Sequence, residues 1–105
     1  MVSQHVVKLI TDYLDESEAK ATSATLVGIF WYVDGHNKTP PLLEEVNQAL
    51  ASRPNVGIEH NNGDIVFVLG HPKANPAVTS SDFQRADAAY RKEFSLKLKE
   101  LKNRI

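Results

Sequence analysis

The side chains here whose types could bind a metal or move a proton are His36, His60 and His71, with Asp34 close to His36, and the neighbouring carboxylates Glu44 and Glu45. Histidine ligands need a recognisable spacing, such as two imidazoles one helical turn apart, and these three lack it. Adjacent side chains on a helix diverge by ~100°, so Glu44 and Glu45 do not form a paired acid and base. Asp34 and His36 sit on a turn with no identifiable nucleophile beside them, which leaves a small hydrolase or transferase around His36 as a third and unsupported reading. The chain has no Gly-rich phosphate loop and no Gly-x-Ser-x-Gly elbow. Zero Cys removes thiolate zinc sites, iron–sulfur clusters, a Cys nucleophile and disulfides. The residues thus predict no catalytic group, no cofactor and no metal, and point to a protein that acts by binding.

Charge and exposed apolar surface are the chemistry that remains. Residues 1–64 carry four basic and nine acidic side chains, and residues 65–105 carry eight basic and four acidic, so net charges of −5 and +4 sit in one chain. An acidic body with a basic tail suits a charged partner; it equally suits attraction between the two parts. Arg85, Lys92 and Lys99 recur every seven residues, with Arg91 and Lys102 beside them. They read as a ridge for nucleic acid or an acidic protein, or as an ordinary solvated helix face, which the macrodipole favours near a helix C-terminus. Opposite them, Phe83, Ala86, Tyr90, Phe94, Leu98, Leu101 and Ile105 line an apolar stripe. That stripe is a protein interface, a dimer seam or packing on the chain's own domain. Its period is nearer 3.6 than 3.5, which argues against a long coiled coil. Trp31 and Tyr32 complete the core or, less favoured, form an exposed anchor.

Length and composition bound these readings. A chain of 105 residues that is 42% hydrophobic with net charge −1 is a single folded domain, not a disordered segment. The longest apolar run, Leu26 to Val33, falls far short of the ~20 residues that span a bilayer. Met1 leads straight into an amphipathic pattern rather than a signal peptide, so no membrane partner is expected and a cytoplasmic location is.

Five elements would position these side chains. Val2, Val6, Leu9 and Tyr13, with Ile10 and Leu14, predict a helix from about Ser3 to Leu14 with Ser3 as N-cap; Asp15 to Thr22 reads as a solvated connection. Leu26 to Val33 fits a helix face or a buried strand. Ser23 as cap and Asp34-Gly35 as stop favour the helix, and its β-branched and aromatic content favours the strand. Thr39 as cap and Pro40 at the first helical position predict a third helix through Ala51, ended by Arg53-Pro54-Asn55. Asn62-Gly63 predicts a hairpin of Val56 to His60 and Ile65 to Leu69, pairing His60 with Ile65, Ile58 with Phe67 and Val56 with Leu69. A linker with Pro72 and Pro76 precedes a helix from about Ser81, capped by Ser81 and Gln84 and running to Ile105. At 1.5 Å per residue that helix would run ~37 Å, so its end should overhang the body or meet another chain.

This order of elements over residues 3–69 resembles the winged helix-turn-helix superfamily, with Leu26 to Val33 as second helix, Pro40 to Ala51 as third helix and Asn61 to Asp64 as wing tip. Pro41 to Leu50 also looks like the third helix of small bacterial domains of this class. The resemblance implies an α+β fold: a winged-helix-like domain over 1–70, a linker over 71–79, and a long amphipathic helix over 80–105 packed on the domain or on a partner. It also implies DNA binding, by analogy alone. The residues oppose the usual mode, because Glu44, Glu45, Gln48 and Ser52 would face the phosphates and the wing tip offers no Arg or Lys. The expectation is therefore a protein-interaction or regulatory module, whose partner is another protein or a second copy, with Phe83, Tyr90, Phe94, Leu98, Leu101, Ile105, Glu44 and Glu45 as its interface. The alternative is a DNA- or RNA-binding regulator that uses Arg85, Arg91, Lys92, Lys99 and Lys102.

Overall fold

The structure, a computed structural model, describes residues 2–20, 24–37, 39–52, 56–61, 64–69 and 78–103, without the side chains of residues 61, 64, 69 and 103. The chain runs α1 (Gln4–Ala19), β1 (Ala24–Thr25), α2 (Leu26–Asn37), α3 (Leu43–Ala51), β2 (Val56–Asn61), β3 (Asp64–Leu69) and α4 (Ser80–Asn103). It is an α+β fold with a winged-helix-like layout, in which an antiparallel sheet of order β1-β3-β2 closes one side of the helical core.

Apolar periodicity builds the centre. Ile10 and Leu14 of α1, Leu26, Ile29, Phe30 and Val33 of α2, and Val46 and Leu50 of α3 are almost wholly buried, with Val56, Ile65 and Phe67 of the sheet against them. Residues 26–33 are helical, so the ambiguous segment resolves to α2. Thr25 caps it, the Gly28 amide donating to Thr25 Oγ1 at 2.9 Å, and Ser23, the expected cap, lies outside the described residues. A side-chain carbon at Gly28 would collide with the Tyr13 hydroxyl, so glycine lets α1 and α2 approach closely here. Gly35 does not end α2; the helix continues to Asn37, whose side-chain amide donates to Thr39 Oγ1.

α1 extends past Leu14 to Ala19. Its last residues need no apolar side chains to stay helical, and no Gly or Pro stops them before the Lys20 amide donates to Glu16 O at 3.0 Å. Ser3 is its N-cap, accepting from the Val6 amide at 3.4 Å.

The hairpin has the expected register: Val56 opposite Leu69, Ile58 opposite Phe67 and His60 opposite Ile65. The turn residues Asn62 and Gly63 lie outside the described residues. The two-residue strand β1, which places Ala24 opposite Phe67 and Thr25 opposite Val66, is too short to leave an alternation in the sequence.

α3 begins at Leu43, not at Pro40. Pro40 precedes Pro41, and a residue before proline is driven out of the helical region by the next ring. Pro41 is buried and Leu42 is extended, with φ −96° and ψ 156°. Leu42 has no side-chain oxygen to cap the helix, so Glu45 closes it from within. Its Oε1 accepts from the Leu42 amide at 2.7 Å, and its Oε2 accepts from the Ser3 amide, also at 2.7 Å. Glu45 is only 3% exposed. One carboxylate thus ties the start of α1 to the start of α3.

Glu45→Ala is expected to lower unfolding stability by about 3 kcal/mol, since two charge-assisted hydrogen bonds are lost and two backbone donors are left behind. The exposed Glu44→Ala is expected to stay within about 0.5 kcal/mol of the parent. Urea unfolding of the two variants side by side checks the contrast; equal effects would remove the structural role of Glu45.

Candidate protein interface on the last helix

α4 is anchored at its N-terminal half. Thr79 caps it, accepting from the Asp82 amide through Oγ1 at 3.1 Å and from the Phe83 amide through its carbonyl at 2.9 Å. The cap therefore lies two residues before Ser81, which is inside the helix. Just upstream, the Asn47 side chain pairs with the Val78 backbone: its amide donates to Val78 O at 3.1 Å and its oxygen accepts from Val78 N at 2.8 Å. The last part of the expected linker is therefore fastened to α3, with Val78 buried. Residues 70–77 of that linker lie outside the described residues.

Phe83, Ala86 and Tyr90 then pack α4 onto α2. Phe83 lies 5.1 Å from Phe30 between ring centroids, Tyr90 stacks on Phe30 at 5.6 Å, and Tyr90 meets Trp31 edge-on at 4.8 Å. The two helices close on Trp31 from the other side as well. Its indole N–H donates to Glu93 Oε2 at 2.9 Å, Phe94 stands 6.1 Å away, and Lys97 Nζ lies 4.4 Å above the ring. Trp31 and Tyr32 are half-buried and packed on the core, in line with the core-completing reading.

The stripe changes character at this point. Phe83 and Tyr90, expected at an interface with a partner, are spent inside the chain. Phe94 is 39% exposed, Leu98 44% and Leu101 57%. Every described side chain from Arg91 to Lys102 is exposed, and the molecule measures 47 Å along its longest axis against 31 and 29 Å across. Ile105, the last member of the expected stripe, lies outside the described residues. At the root of this overhang, Asp34, Pro40, Tyr90, Arg91, Phe94 and Ser95 enclose a cleft of about 340 Å³.

The basic residues divide into two groups. Arg85, Lys92, Lys99 and Lys102 are exposed and make no ion pair among the described residues. Arg91 is held by Asp87 one turn earlier, with Nε 3.0 Å from Oδ2. On α3, Glu44 is exposed as expected, whereas Glu45 is withdrawn into the core. The exposed face of α3 therefore presents Glu44, Gln48 and Ser52 rather than two adjacent carboxylates. The sequence carries a signal for Glu45, because a Glu three residues after a helix's first flanking position is the reciprocal half of a capping box. Reading the helix start at Thr39 hid it.

The histidines are dispersed. His36 Nδ1 lies 2.8 Å from Tyr32 O, its ring stacks on Tyr32, and it does not line the cleft. His60 Nε2 is 3.4 Å from Asp82 Oδ2, and His71 lies outside the described residues. Among the described residues no three His, Asp or Glu side chains gather as metal ligands, and no helix is long and apolar enough to cross a membrane. Burial pushes the Asp82 carboxyl up, but hydrogen bonds from Thr79 and His60 and the charge of His60 outweigh it and hold its pKa below the ordinary value. Burial, then Glu16 and Asp12, raise Tyr32. Burial first, and a hydrogen bond to Asp34 second, push the Tyr90 phenol from 10.0 up to about 12.

No protein-family model, curated protein or solved structure matches this chain.

The folded state favours the neutral Tyr90 phenol, so Tyr90 contributes its full stabilisation below the ordinary tyrosine pKa and loses it as pH rises towards about 12. Denaturant unfolding across that alkaline range should show a shallower fall in stability for Tyr90→Phe than for the parent. Identical slopes would mean that the phenol does not titrate differently on unfolding.

Proposed function

We propose that this chain is a non-enzymatic binding module of the winged helix-turn-helix superfamily that docks on another protein through the overhanging half of α4. The observation that carries this reading is the exposed run Phe94, Leu98 and Leu101, which continues a buried stripe beyond the edge of the body. Leucines at such spacing are what a partner helix or groove covers. Three side chains already half covered offer about 3 kcal/mol in total, less than the cost of bringing two molecules together. A productive partner therefore supplies charge and further surface as well.

Nucleic-acid binding is the competing reading, and it rests on the exposed Arg85, Arg91, Lys92, Lys99 and Lys102, of which Arg85, Lys92 and Lys99 form one line. Even five phosphates neutralised give a log–log salt slope of only about −4.5, where duplex binders commonly make ~6–10 such contacts. α3 has no Lys or Arg at all and exposes Glu44, so the helix that would enter a groove adds nothing to that line. A duplex along the basic line would also leave the leucines wet on the opposite face.

Two measurements separate these readings. In an anisotropy titration at about 0.15 M salt, random-sequence duplex is expected to show no saturable binding at micromolar protein. Binding that disappears in the double variant Lys92→Glu, Lys99→Glu would install the nucleic-acid reading instead.

Because Leu98 and Leu101 face solvent in the folded chain, Leu98→Glu with Leu101→Glu should change stability by less than about 0.5 kcal/mol. Tyr90→Ala, by contrast, should cost about 3 kcal/mol. A large loss in the double variant would return the overhang to the core and end the docking proposal.

A further inference from the structure

We propose that the occupant of the α4 overhang is an acidic amphipathic helix of a different protein, which lays its apolar face on Phe94, Leu98 and Leu101 and sets its carboxylates against the basic side chains on either side. The proposal rests on the docking reading above and adds the chemistry of the partner.

Charge around the stripe selects this occupant. Phe94, Leu98 and Leu101 fall at the i, i+4 and i+7 positions of α4, on one side of the helix. The positions that border this line are Lys97 on one flank, with Glu93 and Glu100 further round, and Arg91, Ser95 and Lys102 on the other; Glu93 already accepts from the Trp31 indole. A helix lying on the leucines brings its own bordering residues against these. Arg91 engages Asp87 through Nε alone, which leaves its terminal nitrogens for an incoming carboxylate. Lys97 rests over the Trp31 ring, so it is already ordered on the side the partner approaches.

The same flanks count against a second copy of this chain. In a parallel pair, Lys97 of one helix faces Lys102 of the other; in an antiparallel pair, each flank faces its own like. Both orientations therefore bring like charges together along this stripe. An acidic helix meets attraction at each of those points.

The cleft at the root of the overhang extends the surface. Its walls include Arg91 and Phe94, which also belong to the stripe and its border, so cleft and stripe form one continuous surface. With a volume of about 340 Å³ and Pro40, Tyr90 and Phe94 among its walls, it accepts one large apolar side chain from the end of the partner helix.

The chain has one Trp, and it stands beneath Phe94 and Lys97, so its emission reports occupation of this surface. The experiment titrates the full chain with two synthetic helical peptides of about 20 residues. They share the same leucine stripe and differ only in carrying Glu or Lys at the bordering positions. We expect the Glu-bordered peptide to bind at least tenfold tighter, to weaken as salt is added, and to lose its advantage with the Lys97→Glu, Lys102→Glu variant. Lys102→Glu alone, which leaves the Trp31 contact untouched, should reduce the advantage partway.

Equal affinities, or tighter binding of the Lys-bordered peptide, overturn the acidic partner while leaving the docking surface standing. A dimer of the chain alone, seen by sedimentation at several concentrations and dissolved by Leu98→Glu with Leu101→Glu, does the same. Binding of neither peptide overturns the partner and the docking reading together.

Discussion

The packing of Tyr90 between Phe30 and Trp31 sets the rest of the arrangement. Tyr90 is the last described side chain of α4 that is buried by its own chain. Upstream of it, Phe83 and Ala86 complete a core begun by α2; downstream, the same helical period carries apolar residues into solvent. Because α4 is one continuous helix through this point, the body dictates the direction and the rotational phase of the overhang. Trp31 adds a second restraint. Glu93 and Lys97, one turn apart, hold its indole at the edge and over the face, so the first turn of the overhang is fixed by side chains as well as by helix geometry.

The other junctions work to the same end by different chemistry. Asn47 holds the Val78 backbone as a neighbouring strand would, and so delivers the chain to the start of α4 after the segment that follows the hairpin. Glu45 does the corresponding work at the opposite side, binding the beginnings of α1 and α3 with one carboxylate. A domain of this size buries a limited apolar area, so polar groups that span distant parts of the chain carry a large share of its specificity.

Withdrawing Glu45 also changes the reason why α3 is a poor reader of nucleic acid. The sequence suggested two adjacent carboxylates repelling a polyanion. In the folded chain one of them is satisfied internally, and what remains is a helix with a single exposed carboxylate and no cation to offset it. The electrostatic balance still opposes phosphate on this face, now through missing attraction more than through doubled repulsion. Six of the chain's twelve Lys and Arg side chains lie on α4, and three of them, Arg91, Lys97 and Lys102, border the apolar stripe, a combination that suits an acidic protein helix.

Local patterns in the sequence determined a good part of this protein. The apolar spacing of α1 and α3, the Ser3 cap, the register of the hairpin and the excess length of the last helix all follow from periods and turn residues a few positions apart, and such signals act within one element, whereas residues 26–33 carry signals for helix and strand alike. The features that decide the candidate site are different in kind. Glu45 meets Ser3 across 42 positions, Asn47 meets Val78 across 31, and Trp31 meets Glu93 across 62. β1 exists only because β3 is there to receive it. Which residues of one even stripe are core and which are surface is likewise a property of where the body ends. No local period encodes that boundary, because the helix is equally amphipathic on both sides of it; only the packing of α4 against α2 sets it.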